Sequence, residues 1–171
     1  KILYKRIMLL RNHGMYKKKN LQGYNIVLNS LNFRLSDINC ALAFSQFKKL
    51  KFFIRARRSI AKYYTKAFNN YGNYFKILNS QDIENSSCHL FQIQLTKKYK
   101  SKRNRLKEYL KNNRIISQIH YIPIYKHKIF KRLSYKDLYS SQEFYESTLS
   151  LPIYVSLNKK KIDYIIKNIK I

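Results

Sequence analysis

The spacing of apolar residues predicts helices along much of the chain. Apolar positions recur every three to four residues over 2–11 and again over a long stretch from Ser36 to about Asn69. Ser36 is a suitable N-cap, and the length of this second stretch predicts either a helix that bridges two domains or a break near Lys51. Its expected apolar face consists of Ile38, Ala41, Leu42, Phe53, Ala56, Ile60, Tyr64, Ala67 and Phe68. Further helices are predicted over 100–113, 140–148 and 162–171, with a helical turn at 130–133.

Strict alternation of apolar and polar residues is the signature of half-buried strands. It predicts a strand over 89–95, where Leu90, Phe91, Ile93 and Leu95 are interleaved with polar residues. Strands are also predicted over 115–122, ending at Pro123, and over 149–155, irregular because Pro152 lies within it. The stretch 15–30 is polar and is expected to be a surface loop. Alternating strands and helices predict an α/β fold class built from layers of sheet and helix.

The large positive charge of the chain is weaker evidence for a nucleic-acid partner than its magnitude suggests. The formal net charge is +28 over 171 residues, which favours a phosphate-bearing partner such as nucleic acid. However, Lys, Asn, Ile, Tyr and Phe make up 89 residues, and all five share A- and T-rich codons. The basic residues are also dispersed. A basic nucleic-acid-binding domain is therefore kept as the alternative function, and nucleic acid is not the expected partner.

Cysteine and histidine usage indicates neither disulfides nor a metal site. Cys40 and Cys88 are isolated, so we expect both to be small, reduced core residues, as is usual for such cysteines in cytosolic proteins. The four histidines lack ligand spacing. No apolar run approaches the roughly 20 residues that cross a bilayer. We expect a cytoplasmic protein without a metal and without a membrane partner.

One short segment carries candidate chemistry. Asn32 and Arg34 precede the predicted helix start at Ser36, where an extended backbone can hold an amide and a guanidinium toward an anion. A planar guanidinium suits a carboxylate or phosphate. The structural alternative is an amide that stabilises a turn and a surface cation that pairs with Asp37.

Seven segments of the chain resemble, in sequence and in order, segments of the DegT/DnrJ/EryC1 aminotransferases. The resemblance is strongest to the members of that family that act in pseudaminic acid biosynthesis. The seven segments are Leu9–Met15, Asn32–Ile38, Ser45–Leu50, Cys88–Phe91, Gln118–Tyr125, Glu143–Glu146 and Ser150–Tyr154. The resemblance covers nearly the whole chain. It implies the aspartate-aminotransferase-like fold (fold type I) and the cofactor pyridoxal 5'-phosphate (PLP).

The same resemblance implies that this chain is the C-terminal part of a longer enzyme. Residues 1–50 would be the tail of the large cofactor-binding domain and the start of an interdomain helix, and residues 51–171 the small domain. The resemblance also implies that the Schiff-base lysine lies in the large domain, and no lysine of this chain matches its motif. No catalytic residue is therefore expected in this chain, and the fragment is not expected to turn over alone.

The implied activity is transamination of a UDP-linked 4-keto-6-deoxy-N-acetylhexosamine, with glutamate as amino donor, for the synthesis of a surface glycan. Asn32 would bind the cofactor phosphate of the partner subunit in a homodimer. Arg34 would bind the donor carboxylate, and His120 and Tyr121 would line the entrance for the sugar nucleotide. Ser30-Leu31 replaces the Gly-Tyr that usually precedes the asparagine. A non-catalytic remnant that keeps the fold is the second alternative.

Overall fold

The computed structural model describes residues 1–17, 22–78, 80–130 and 138–170. The chain divides into two compact units, Lys1–Lys49 and Leu50–Ile171. The helices and strands are α1 (Ile2–Arg11), β1 (Met15–Tyr16), β2 (Asn25–Ile26), α2 (Asp37–Ala67), β3 (Phe75–Ile77), β4 (Phe91–Leu95), α3 (Arg103–Asn112), α4 (Tyr139–Ser147), β5 (Thr148–Leu151) and α5 (Lys159–Lys167). Short 3-10 turns lie between several of them.

Helix α2 is continuous over 31 residues and has no break near Lys51. Its N-terminus is capped as predicted, since the backbone N–H of Asn39 donates to Ser36 Oγ at 3.3 Å. Toward the other end of the helix, Ile60 and Tyr64 are buried, and Phe68 is buried just after it, which confirms the second half of the predicted apolar face. The first half differs: Ile38, for example, is 81% exposed.

The first unit is held together by backbone hydrogen bonds rather than by a core. Antiparallel strands β1 and β2 pair through Met15 with Ile26 and Tyr16 with Asn25. The predicted surface loop over 15–30 is therefore wrong in part, and its residues 18–21 lie outside the described residues. These strands are two residues long, too short for an alternation to show. No large apolar side chain in the described part of this unit is buried.

The second unit contains the hydrophobic core. Strands β3, β4 and β5 form an antiparallel sheet in that order, with Ile93 of β4 opposite Ile77 and Leu149. Tyr64 and Phe91 stack with ring centroids 4.8 Å apart. Helices α3 and α5 bury one face each, through Leu106 and Leu110, and Ile162 and Ile165. The arrangement is mixed α/β, as expected.

Two strand predictions need correction, and one strand of the sheet was not predicted. The expected strand over 115–122 is a single bridge between Gln118 and Ser150, because the chain follows β5 only at that point. The strand predicted over 149–155 is Thr148–Leu151 and stops before Pro152. Strand Phe75–Ile77 was not predicted, since three residues are too few to establish a period.

The other predicted elements agree with the structure within a few residues. The helical turn expected at 130–133 is a 3-10 turn at Lys128–Phe130, and residues 131–133 lie outside the described residues. Ile171, the end of the last predicted helix, lies outside them too. No described helix is long and apolar enough to cross a membrane.

A core substitution tests this division between a packed and an unpacked unit. Leu110 is fully buried in α3, whereas Leu42 is 59% exposed on α2. We expect Leu110→Ala to lower the free energy of unfolding of the 171-residue chain by about 2–5 kcal/mol, because it leaves a cavity. Leu42→Ala is the matched control and should cost less than about 1 kcal/mol. Urea unfolding followed by circular dichroism measures both, and equal losses would contradict the assignment of the core.

Candidate functional site

Asn32 lies on a segment without helix or strand, residues 29–36, which we call the arm. Hydrogen bonds attach the arm to the end of α1. The backbone N–H of Phe33 donates to Arg11 O at 3.0 Å, and that of His13 donates to Leu31 O at 3.1 Å. These bonds form a bridge that places Asn32 opposite Asn12. The side-chain Oδ1 of Asn12 is buried and has no hydrogen-bond donor among the described residues.

A left-handed turn at the end of α1 makes the attachment of this arm possible. His13 and Gly14 have φ values of 55° and 66°. A Cβ on Gly14 would lie 1.9 Å from the carbonyl oxygen of Leu28, so only glycine fits there. Gly14 thus lies just after the end of α1 and also leaves room for the segment that leads to the arm.

Asn32 and Arg34 form one connected group. Oδ1 of Asn32 accepts from the backbone N–H of Arg34 at 3.1 Å and from its Nε at 3.2 Å. Asn32 thus stabilises a turn, as the structural alternative proposed. Arg34 does not pair with Asp37 in the described part of the chain, where the ion pairs join Lys62 to Glu84 and Lys100 to Glu146.

This turn also determines which polar atoms remain for a ligand. Because Oδ1 of Asn32 is occupied by Arg34, the Nδ2 amide is the free end of the side chain, and no hydrogen bond engages it within the described residues. The terminal guanidinium nitrogens of Arg34 are likewise exposed. The group therefore presents donors only, which fits an anion such as a phosphate or a carboxylate. These residues fit the phosphate of PLP.

His120 and Tyr121 lie in the second unit. Nδ1 of His120 shares a hydrogen bond of 2.8 Å with Ser150 Oγ, beside the Gln118–Ser150 bridge. The ring of Tyr121 meets that of His120 edge-on, with centroids 4.7 Å apart, and Tyr121 is 75% exposed. Ser150 fixes the imidazole ring, a role that sequence reasoning missed because nothing local links the two residues.

His120 also lines a cavity of about 640 Å³ in the second unit. The cavity lies between the segment after α3, the residues after β5 and one face of α5. Its floor is apolar, and its polar lining includes Arg114 and Lys161. None of the described residues that line it is acidic. Tyr121 is not among the lining residues. Arg114 and Lys161 stand in none of the seven segments, so nothing in the sequence pointed to their place in this lining.

Arg114 has an unusual backbone conformation at the end of α3. Its φ is 59°, and its N–H donates to Lys111 O at 2.9 Å while that of Ile115 donates to Leu110 O at 2.8 Å. This is the left-handed position after a helix that glycine usually occupies. A residue with a Cβ costs about 1–2 kcal/mol there.

The segment that follows Tyr121 is attached to α4. Tyr125 Oη donates to Gln142 Oε1 at 2.8 Å, and Lys126 Nζ lies 4.8 Å from the centre of the Tyr145 ring. Gln142 Nε2 in turn donates to the carboxylate of Glu146. Lys100 Nζ donates to the same carboxylate at 3.3 Å. The hydrogen bond from Gln142, and then that from Lys100, holds the pKa of Glu146 below its ordinary value.

The described residues contain no group of three or more His, Cys, Asp or Glu side chains that could hold a metal ion. The candidate sites are two, one in each unit. The first is the pair of hydrogen-bond donors Asn32 and Arg34, and the second is the cavity lined by His120.

Comparison with known proteins identifies the family. The sequence profile of the DegT/DnrJ/EryC1/StrS aminotransferases matches residues 1–170. The chain belongs to that family. The chain is 35% identical over 164 residues to UDP-4-amino-4,6-dideoxy-N-acetyl-beta-L-altrosamine transaminase of Campylobacter jejuni. The match covers 95% of this chain and 43% of that protein. The same transaminase of Helicobacter pylori is 33% identical, with the same two coverages.

Solved structures of the family confirm the fold. Helicobacter pylori PseC, an aminotransferase involved in the biosynthesis of pseudoaminic acid, matches with a TM-score of 0.88 and 32% identity, covering 98% of this chain and 45% of that one. The PLP form of the sugar aminotransferase Spr1654 of Streptococcus pneumoniae matches with a TM-score of 0.81 and 25% identity, covering 97% of this chain and 42% of that one. The resemblance and fold class expected from the sequence are confirmed. The chain spans less than half the length of these relatives.

The acid sensitivity of the Glu146 network is testable. Because the folded-state pKa of Glu146 is lowered, its carboxylate stabilises the fold above its ordinary pKa of about 4.3 and loses that effect as the pH falls through the folded-state pKa. We expect Glu146→Gln to flatten the decline of the unfolding free energy between about pH 5 and pH 3. Urea titrations at each pH measure this. Glu108→Gln on the exposed side of α3 removes the same charge and is the control; an unchanged slope for Glu146→Gln would contradict the network.

Proposed function

We propose that the chain is the C-terminal part of a PLP-dependent aminotransferase that converts a UDP-linked 4-keto-6-deoxy-N-acetylhexosamine to the 4-amino sugar. The support is twofold. The relatives named above are transaminases of such sugars, and the described residues include an exposed group, Asn32 with Arg34, that offers hydrogen-bond donors only. The proposed amino donor is glutamate, and the proposed product serves surface glycan synthesis.

In this proposal Asn32 holds the cofactor phosphate through its Nδ2 amide. The amide is kept in place because Arg34 donates twice to its Oδ1. The cofactor, when bound, supplies the electron sink that amino transfer requires. The Schiff-base lysine belongs to a large domain that corresponds to the remaining length of the relatives. Residues 1–50 are proposed as the tail of that domain and residues 51–171 as the small domain.

Arg34 is proposed to bind the carboxylate of the donor. Its Nε is occupied by Asn32 Oδ1, which leaves the two terminal nitrogens for a two-pronged contact. The hydrogen bond from Nε to Asn32 Oδ1 also fixes the plane of the guanidinium group. A lysine ammonium at the same position would not reproduce the two-pronged contact with a carboxylate.

His120 and Tyr121 are proposed to contact the sugar nucleotide. Ser150 holds the imidazole through Nδ1, so Nε2 is the atom available to a substrate. Tyr121 is exposed beside it, where its ring can cover a bound sugar. The active form is proposed to be a homodimer in the cytoplasm, where Cys40 and Cys88 stay reduced. Each site of the dimer would use Asn32 of the neighbouring subunit.

The proposal is tested by supplying a large domain from a relative. The chain is produced together with a large domain, namely the N-terminal portion of the Campylobacter jejuni transaminase that lies outside the matched region. Formation of the 4-amino sugar is followed by mass spectrometry with PLP and glutamate. Amino transfer supports the proposal. A folded, PLP-loaded complex without amino transfer would indicate a non-catalytic remnant and overturn it.

In that complex, Asn32→Ala removes the amide contact to the cofactor phosphate. A hydrogen bond to a charged group contributes about 1.5–3 kcal/mol, so we expect the dissociation constant of PLP to rise by about tenfold or more. Cofactor absorbance during dialysis measures it. Asn29→Ala, also exposed on the arm, is the matched control. Equal PLP affinity of the Asn32 variant and the parent would remove Asn32 from the site.

Arg34→Lys keeps the charge but loses the planar fork. We expect KM for glutamate to rise by about tenfold, because a bidentate contact is replaced by a single one, while KM for the sugar nucleotide changes little. Steady-state kinetics with each substrate varied in turn measure the two constants. Arg6→Lys on α1 is the control. A rise in KM for the sugar nucleotide alone would assign Arg34 to the other substrate.

A further inference from the structure

We propose that the 640 Å³ cavity of the second unit binds the nucleoside diphosphate group of the sugar nucleotide. This inference rests on the proposed function, because it assumes a sugar carried by a nucleotide. It adds the location of that group and two residues that recognise it, Arg114 and Lys161. Both the charge and the shape of the cavity support this assignment.

The charges around the cavity suit a diphosphate. Arg114 and Lys161 line it from two different elements, the end of α3 and the first turn of α5. No acidic residue is among the described residues of its lining, so neither cation is neutralised there. Lys161 also lies at the positive end of the α5 dipole, where an anion is favoured. Its backbone N–H is already satisfied by Asn158 Oδ1 at 3.0 Å, so the side chain carries the recognition.

The backbone at Arg114 provides a second, independent observation. Its φ of 59° is one that glycine adopts without strain, yet the residue at this position is an arginine. Backbone strain of this kind clusters at active sites and ligand-binding sites. A guanidinium that binds a phosphate is such a role, since it forms paired hydrogen bonds with phosphate oxygens.

The remaining lining suits a flat base. Tyr154 and Tyr164 supply rings, and Leu151, Ile153 and Ile165 supply an apolar floor. Ligand sites typically combine about 300–1,000 Å³ of mostly apolar space with a few polar groups, and this cavity has both. A free inorganic phosphate would use the cations and leave the floor unoccupied. The combination therefore favours an aromatic group joined to an anion.

His120 connects the cavity to the proposed sugar contacts. It lines the cavity, and its neighbour Tyr121 lies outside the lining and is exposed. A nucleotide in the cavity would thus direct its attached sugar past His120 toward Tyr121. In this arrangement Arg114 and Lys161 bind the diphosphate, and His120 and Tyr121 contact the sugar.

Another cavity in this unit provides a control. It measures about 320 Å³ and is lined by Lys102, Arg105 and Lys170 with Leu106 and Tyr109. It is more basic than the first cavity but smaller, and Leu106 is its only aliphatic lining residue within the described part of the chain. If charge alone determined binding, this cavity would bind the same anions. Arg105→Gln is therefore the matched variant for a change at Arg114.

The test is calorimetric titration of the 171-residue chain with UDP, uridine and inorganic pyrophosphate at constant ionic strength. We expect UDP to bind more tightly than either of its parts. Arg114→Gly should weaken UDP binding by about tenfold or more, because a charge-assisted hydrogen bond is lost. It should at the same time raise Tm, because glycine relieves the left-handed position. Lys161→Gln should weaken UDP binding without that gain in Tm, and Arg105→Gln should leave the affinity unchanged.

Three results would overturn the proposal. Pyrophosphate binding as tightly as UDP would show an anion site without a base site. Equal weakening by Arg105→Gln and Arg114→Gly would show diffuse attraction to a basic surface, and no UDP binding would show that the cavity is not the site. The proposed function is judged separately. Amino transfer by the complete complex with no UDP binding by this cavity would retain the function, whereas UDP binding without amino transfer would retain only the site.

Discussion

The attachment of the arm to the end of α1 is the constraint on which the proposed cofactor contact depends. The arm makes no core contacts of its own, and backbone hydrogen bonds from Phe33 and His13 hold it beside the end of α1. That arrangement requires Gly14, since any side chain there would overlap the carbonyl of Leu28. A position without chemical function therefore determines where Asn32 lies. The motif containing Asn32 is meaningful only together with the earlier one containing Gly14.

The second unit positions its residues by a different principle. A packed core, centred on Tyr64, Phe91, Ile93 and Leu149, fixes the sheet and helices. The polar residues that line the 640 Å³ cavity come from the ends of these elements, where side chains are not consumed by packing. Arg114 follows α3, Lys161 begins α5, and Ser150 lies within the edge strand β5 and holds His120. A rigid core thus allows the polar residues to be placed with little motion, although each is remote from the others in sequence.

The helices were predictable from the sequence because their apolar period extends over several turns. Helix α2 was found in full, with Ser36 as its cap, and so were the later helices within a few residues. Short strands were not predictable, since β1, β2 and β3 contain two or three residues and show no period. The stretch 115–122 shows the opposite error: it is predicted as a strand, but its only bridge among the described residues joins Gln118 to Ser150. The roles suggested for Asn32, Arg34, His120 and Tyr121 came from motifs. Arg114 stands in no motif, and its left-handed backbone is set by the way α3 ends.

The two cysteines of the chain differ in exposure, and this difference gives the molecule a natural reporter position. Cys40 is exposed in the first turn of α2, so the prediction of a core residue is wrong there, because α2 buries no side chain in that turn. Cys88 is buried as expected, with its Sγ facing the carbonyl of Ile83 at 3.9 Å. A maleimide dye applied under native conditions would therefore modify Cys40 and spare Cys88. Because Cys40 lies only six residues after Arg34, the fluorescence of such a dye would sense molecules that approach the arm, with no engineered attachment point.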